Sequence, residues 1–231
     1  MIIIKFNDNI EHKYNTFEEI LKIDNYNDII YIDCSSNCLY CLPELPNSLT
    51  ELYCNNNNFS NLPELPNSLI DLYCSRNSLS SLPELPNSLV RLLCSYNKLS
   101  ILPELPNSLI YLMCNNNNLF IIPKLPNLLE YLCCETNKIS NLPELPNSLL
   151  YLYCYNNILS SLPELPNSAF DLHYFNNPIH THINKYFNGD RDLYYEHQNK
   201  IKIKFVNKIE NWFLDCKYNP KYLYCKKRLM K

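Results

Sequence analysis

The sequence predicts a repeat solenoid with a parallel β-sheet along one side, and three observations support this fold class. A unit close to L-x-x-L-x-C-x-x-N-x-L-x-x-L-P-E-L-P-N-S, twenty residues long, occurs seven times in succession, and a degenerate eighth copy begins at Ala169. Units this short cannot bury their own apolar face, so neighbours have to stack. The complete copies start at Ile29, Leu49, Leu69, Leu89, Leu109, Leu129 and Leu149.

The other two observations concern the inside of one unit. In the copy that begins at Leu69, Leu72 and Cys74 alternate with Asp71 and Tyr73, which predicts a short strand with one buried face. Each L-P-x-L-P step carries two prolines, which lack an N–H and fix φ. This step is expected to run as extended, polyproline-like chain and not as a helix.

One asparagine follows each predicted strand. A carboxamide has both donors and an acceptor, so a column of asparagines can satisfy the backbone groups that are freed where each strand turns. The predicted asparagine ladder consists of Asn37, Asn57, Asn77, Asn97, Asn117, Asn137, Asn157 and Asn177.

Seven of the twelve cysteines occupy the same position in successive copies. Repetition, and not pairing, explains this spacing, and buried free cysteines behave as small apolar groups. The sequence therefore predicts free thiols and a reducing, intracellular compartment such as the cytoplasm. The N-terminal apolar run is too short for a signal peptide, and no run is long enough to span a membrane, so we expect a soluble protein. This cysteine column consists of Cys34, Cys54, Cys74, Cys94, Cys114, Cys134 and Cys154.

The unit resembles the leucine-rich repeat, whose strand reads L-x-x-L-x-L-x-x-N/C-x-L. It is most similar to the twenty-residue subtype of the bacterial effectors YopM and IpaH, whose repeats also end in L-P-x-L-P-x-S. The resemblance covers the array, residues 29–179, and departs from the subtype in having Cys where Val is usual. It implies a parallel sheet on a concave face and extended chain on the convex side.

The predicted domains are an N-terminal cap (1–28), the repeat array (29–179) and a basic C-terminal cap or tail (180–231). Solenoids need caps because their terminal cores would otherwise face water, and we expect α-helical or mixed caps at both ends. In the first cap we expect a strand over residues 1–6 and a helix over residues 16–23. The tail carries twelve Lys/Arg against five Asp/Glu, a net charge of +7.

The leucine-rich repeat resemblance implies that the strand side chains pointing away from the core form the concave wall, at positions three, five, seven and eight of each unit. We call this surface the tyrosine face. Tyrosine is a large amphipathic residue that is enriched at protein interfaces. The alternative is that these tyrosines only stack on one another across the strands. The predicted partner-binding residues are Tyr53, Tyr73, Arg91, Tyr111, Tyr131, Tyr151, Tyr153 and Tyr155.

Residues 201–216 place apolar side chains, Trp212 among them, at helical spacing beside a basic face. We interpret this segment as a cap on the array, with a partner-binding helix as the alternative. Residues 217–229 resemble terminal segments of repeat proteins from giant amoebal DNA viruses. Lys226, Lys227 and Arg228 form a basic cluster, which is more typical of a solvated surface than of a nucleic-acid site.

No catalytic constellation is predicted. Some relatives of the subtype attach a ubiquitin ligase domain with a C-x-D motif, which neither Cys216 nor Cys225 matches. His173, His180 and His182 lie near the end of the array without a nucleophile or carboxylate at fixed spacing, and we predict no metal and no cofactor.

The sequence thus predicts a non-catalytic module that binds a partner protein, of a host cell, through the tyrosine face. Membrane and nucleic-acid partners are not expected. Two alternatives stay open: an adaptor that recruits an enzyme through the basic tail, and nucleic-acid binding by that tail.

Overall fold

The computed structural model describes residues 1–166, 168–169 and 171–196. The chain divides into two compact units, Met1–His180 and Thr181–Lys231, and each is described by itself. The first unit contains a ten-stranded sheet with the strand order β10-β9-β8-β7-β6-β5-β4-β3-β1-β2.

Strands β3 to β10 are parallel, and each pairs with the strand of the next copy at an offset of twenty residues, as Leu52 does with Leu72. Only three residues of each copy form regular strand, because the chain turns three residues later at a residue with positive φ, as at Asn56. The predicted parallel-sheet solenoid is therefore confirmed. The strands are β3 Tyr31–Asp33, β4 Glu51–Tyr53, β5 Asp71–Tyr73, β6 Arg91–Leu93, β7 Tyr111–Met113, β8 Tyr131–Cys133, β9 Tyr151–Tyr153 and β10 Asp171–His173.

The core is a stack of equivalent apolar side chains. In the second copy, Leu49, Leu52, Cys54 and Phe59 are fully buried, and Leu62 is nearly so. Burying one such large side chain contributes about 1.5–3 kcal/mol. Because each layer covers the next, the array has one continuous core and not a separate core in each copy.

The return path of each copy is extended chain with one tight turn. In the second copy the turn is closed by the N–H of Leu69, which donates to the carbonyl of Pro66 at 3.1 Å. The serine before this leucine adds a second link, since the hydroxyl of Ser68 donates to the carbonyl of Leu49 at 2.6 Å. Successive turns are thereby connected just before their strands begin.

The N-terminal segment adds an antiparallel hairpin to the sheet. Strands β1 (Ile2–Lys5) and β2 (Glu11–Tyr14) pair with each other, and β1 also pairs antiparallel with β3. Strand β2 was not predicted because its sequence, Glu-His-Lys-Tyr, has no alternation of apolar and polar residues. It is held by the β1 ladder and buries no apolar row.

Helix α1 (Phe17–Ile20) is shorter than the predicted helix of residues 16–23. Its N-cap is Thr16, whose hydroxyl accepts from the N–H of Glu19, and the Glu19 carboxylate accepts from the N–H of Asn15 at 2.9 Å. Together these two bonds fix the start of the helix. The helix ends after one turn, and a short 3₁₀ turn (Tyr26–Asp28) leads into the array.

Helix α2 (Pro178–Phe187) follows the last strand; its position was not predicted, although an α-helical or mixed C-terminal cap was. Proline suits its first position, where the missing N–H has no partner in the helix. The predicted amphipathic helix with Trp212, and the cysteines Cys216 and Cys225, lie outside the described residues. None of the helices in the described part of the chain is long and apolar enough to cross a membrane.

Candidate functional site

The tyrosine face is accessible along the array. In strands β3 to β9 the central side chain is buried, whereas the flanking tyrosines are half-buried. Tyr96, at the eighth position of its copy, is 46% exposed. The parallel register places the tyrosines of successive copies side by side, because residues twenty apart are direct neighbours.

Neighbouring tyrosine rings stack on one another in two places. Tyr53 and Tyr73 lie face to face, with 4.3 Å between ring centroids, and Tyr111 and Tyr131 do so at 4.2 Å. Tyr151 is tilted against Tyr131 at 5.8 Å. The alternative of cross-strand stacking thus describes part of the geometry, but the stacked rings are half-buried and still in contact with solvent. Stacking and contact with a partner are compatible here, because a stacked ring keeps one edge toward solvent.

Several tyrosine hydroxyls point at carboxylates. The hydroxyl of Tyr153 donates to Oδ2 of Asp171 at 2.7 Å, and this bond, aided by burial, raises the pKa of Tyr153 to about 12. A hydrogen bond to Glu135, with burial, likewise raises the pKa of Tyr155 to about 12. These hydroxyls are therefore protonated donors at neutral pH.

The N-terminal half of the face is charged. Asp71 is 2% exposed, and its Oδ2 is bound by Nη2 of Arg91, whose side chain is 48% exposed. The hydrogen bond to Asp71 raises the pKa of Arg91. The other oxygen of Asp71, Oδ1, is buried and has no hydrogen-bond partner among the described residues. With Asp33 and Glu51 on the same face, this half is acidic, and Arg91 lies at its border with the aromatic half.

Sequence reasoning missed two residues that continue the aromatic row. Phe175 stacks on Tyr155 with 4.4 Å between centroids, and the His173 ring lies 5.1 Å from that of Tyr153. Nε2 of His173 is 3.0 Å from Oδ1 of Asp171. The repeat register contained the signal, since residues 173 and 175 occupy the fifth and seventh positions of the eighth copy.

The three histidines near the end of the array have different surroundings. His173 lies on the tyrosine face, whereas His180 meets the ring of Tyr174 edge-on at 5.6 Å. His182 packs against aromatic rings of its own unit, including that of Tyr186 at 4.8 Å. The described residues contain no group of three or more side chains that could hold a metal ion.

The asparagine ladder forms the edge of the sheet beside this face. Nδ2 of Asn57 donates to the carbonyls of Cys34 at 3.0 Å and Cys54 at 3.2 Å. Its Oδ1 accepts from the N–H groups of Asn37 and Leu39. One side chain thus joins two turns, and the pattern repeats along the array with the same carbonyl acceptors from Asn77 to Asn157.

The cysteine column lies behind the strands as free thiols with no exposed surface. Burial raises the pKa of Cys74 to about 12 and that of Cys114 well above its ordinary value. A thiolate is the reactive form of cysteine, so these side chains are inert core groups and not nucleophiles. Cys38 and Cys41, in the first copy, are exposed.

Solved structures of bacterial effectors are similar to this chain, whereas no protein-family model and no curated protein sequence matches it. YopM from Yersinia enterocolitica is 41% identical, with a TM-score of 0.65 over 65% of this chain and 34% of that chain. YopM from Yersinia pestis is 35% identical, with a TM-score of 0.55 over 64% of this chain and 49% of that chain. The leucine-rich repeat domain of a Shigella effector is 34% identical, with a TM-score of 0.62 over 70% of this chain and 73% of that chain.

Short parallel strands at a twenty-residue offset, a buried leucine stack and an asparagine edge define a leucine-rich repeat solenoid. The chain belongs to the leucine-rich repeat family of these Yersinia and Shigella effectors. It spans about a third and about half of the length of the two YopM chains. The similarity is to bacterial proteins and gives no support to the viral resemblance of residues 217–229, which lie outside the described residues.

Proposed function

We propose that this protein is a non-catalytic interaction module that binds a partner protein through the tyrosine face. The observation that supports this most is the row of half-buried, solvent-facing aromatic rings on a rigid sheet, since aromatic surface patches usually mark interaction sites. Rigid rings also lose little conformational entropy on binding. The proposed contact residues are Tyr53, Tyr73, Arg91, Tyr111, Tyr131, Tyr151, Tyr153 and Tyr155.

The chemistry of the face indicates what the partner presents. The aromatic half, around Tyr111 and Tyr131, suits apolar or aromatic side chains. The other half, around Glu51 and Asp71, suits a basic or amide-rich segment, and exposed Arg91 offers donors at the border between them. A partner with an apolar part next to a basic part fits both halves in one orientation.

We further propose that the partner belongs to a host cell and that binding occurs in a reducing, intracellular compartment. The family of effectors to which the array belongs supports the first point. The uncharged cysteine column supports the second, because an oxidising compartment favours disulfides and the described cysteines are free.

The test uses the combined variant Tyr111→Ser, Tyr131→Ser, Tyr151→Ser. Partners are identified by affinity purification from host lysate with mass spectrometry, and the affinity of the purified partner is then measured by surface plasmon resonance. We expect the triple variant to bind at least about a hundredfold more weakly, since central aromatic residues dominate interface energies.

The matched control changes exposed residues of the opposite side: Glu84→Gln, Glu104→Gln, Glu144→Gln. Equal thermal unfolding of both variants separates loss of contact from loss of fold. Unchanged affinity of the tyrosine variant would contradict the proposal and move the site elsewhere on the chain.

The two tail-based alternatives, enzyme recruitment and nucleic-acid binding, depend on residues outside the described part of the chain. Removal of residues 197–231 distinguishes them from the proposal. If partner binding survives this removal and does not weaken steeply with salt, the tail alternatives are wrong.

A further inference from the structure

A second surface, on the flank of the array just after the strands, breaks the repeat pattern. We define the apolar flank as Ile101, Phe120 and Ile121. Their side chains are 58%, 53% and 59% exposed. Residues 101 and 121 are equivalent in adjacent copies, and the N–H of Phe120 donates to the carbonyl of Ser100, so the three lie on neighbouring turns.

The residues at equivalent positions of the other copies show that folding does not require apolar side chains on this surface. In copies two to seven, the twelfth residue of each copy is serine, except for Phe120. The thirteenth residue is asparagine or serine, except for Ile101 and Ile121. The equivalent Ser60 and Asn61 are also exposed, so the position itself does not require an apolar residue. The three apolar side chains therefore contribute little to the core, and their clustering needs another explanation.

Charge on this flank has one sign. At positions ten, twelve and thirteen of copies two to seven, the only charged residues are Lys98 and Lys138. Both are exposed, and they flank the apolar residues along the array. The Lys138 ammonium lies over the Phe120 ring, 5.6 Å from its centroid. An ammonium held over an aromatic ring keeps most of its charge available to an anion.

We propose that the apolar flank binds a short acidic segment of another protein, in which an apolar side chain is accompanied by Asp or Glu residues. The apolar side chain packs on Phe120 between the two isoleucines, and the carboxylates pair with Lys98 and Lys138. Three side chains form a small contact, which fits a short linear segment better than a folded domain. The chain's own tail, with a net charge of +7, is repelled by the same lysines.

The test uses a displayed library of random twelve-residue peptides, selected on the full-length protein. The key variant is Ile101→Ser, Phe120→Ser, Ile121→Asn, which restores the residues of the sister copies and so leaves the fold intact. We expect the enriched peptides to combine an aromatic or aliphatic residue with flanking acids. Synthetic copies of them should bind the variant at least about tenfold more weakly by fluorescence polarisation.

Two further variants complete the test. Lys98→Ser with Lys138→Ser should weaken the binding of the same peptides several-fold and reduce its salt dependence. Ile158→Asn removes a similarly exposed apolar residue that lies outside the apolar flank, and it should leave the affinity for these peptides unchanged. Enrichment of no peptides, of peptides without acids, or of peptides that bind the flank variant equally well would overturn the proposal.

Self-association is a distinct outcome. If the unmodified protein dimerises in sedimentation velocity and the flank variant does not, the occupant is a second copy and the proposal is wrong. The tyrosine face is unchanged in every variant used here, so the result does not depend on the function proposed for that face.

Discussion

At the residue scale, the repeat requires one backbone conformation that is unfavourable for most residue types. The eighth position of every copy has φ between 53° and 58°, the left-handed region. Asparagine occupies it at residues 56, 116, 156 and 176, as expected for a residue that tolerates this region. Thr136 occupies it in the sixth copy, and a β-branched residue there is strained.

Thr136→Asn should therefore stabilise the array by about 1 kcal/mol. The reverse change in the preceding copy, Asn116→Thr, should destabilise it by a similar amount. Urea unfolding followed by circular dichroism measures both. Equal midpoints for the two variants would contradict the explanation by backbone strain.

Leu128 is another residue-scale exception. Elsewhere a serine hydroxyl at this position donates to the carbonyl of the preceding turn, as Ser108 does to Leu89 at 2.7 Å and Ser148 to Leu129 at 2.6 Å. Leu128 has no such donor and is 56% exposed.

Leu128→Ser should thus raise the free energy of unfolding by about 0.5–1.5 kcal/mol, because it restores a hydrogen bond to the carbonyl of Leu109. Ser108→Leu, the matched reverse change, should lower the free energy of unfolding by a similar amount in the same urea titration. A destabilised Leu128→Ser protein would show that the leucine packs more usefully than its exposure indicates.

At the element scale, the asparagine ladder joins each turn to the next. Asn57→Ala would remove donors from the carbonyls of Cys34 and Cys54 and the acceptor from the N–H of Leu39. Each buried group left without a partner costs about 1–3 kcal/mol, so we expect a loss of about 3 kcal/mol or more.

The control for this prediction is the adjacent exposed residue, Asn58→Ala, which should change stability by less than about 0.5 kcal/mol. Guanidinium unfolding compares the two proteins. Similar losses in both would mean that the conformational preference of asparagine in this turn, and not the ladder, determines the effect.

The same elements show how far the sequence could be interpreted. Periodicity predicted one short strand in each copy, because a fixed repeat gives every residue a fixed place in the layer, and the leucine-rich repeat resemblance implied that these strands form a parallel sheet. Periodicity did not predict β2, which depends on pairing with β1, or the early end of α1, whose extent depends on local caps. The Arg91–Asp71 pair required knowledge of strand register, because its members are twenty residues apart in sequence. What the tyrosine face binds depends on another molecule, so the sequence does not contain it.

At the scale of the whole molecule, the cysteine column couples stability to pH. Burial raises the pKa of Cys34, Cys74 and Cys154 from an ordinary 9.0 to about 12. The folded chain therefore holds these protons more tightly than the unfolded chain. This stabilisation is fully present below pH 9 and is lost as pH rises toward 12.

We expect the free energy of unfolding to be flat up to about pH 8 and to fall above pH 9, by about 1.4 kcal/mol per pH unit for each buried thiol. Urea titrations between pH 7 and pH 11 would measure this. Cys74→Val with Cys114→Val, which keeps the core apolar, should make the decline shallower. An unchanged slope in that variant would assign the alkaline loss to the tyrosines instead.

The constant twenty-residue offset between paired strands also limits how such a gene can change in length. Excision of one complete copy would bring together two strands whose inward and outward residues already match, so the shortened protein should fold. Loss of nineteen residues would shift every later side chain out of its layer. Recombination between the near-identical copies can therefore lengthen or shorten the binding surface in whole steps, and the reach of the protein can evolve without redesign of its interior.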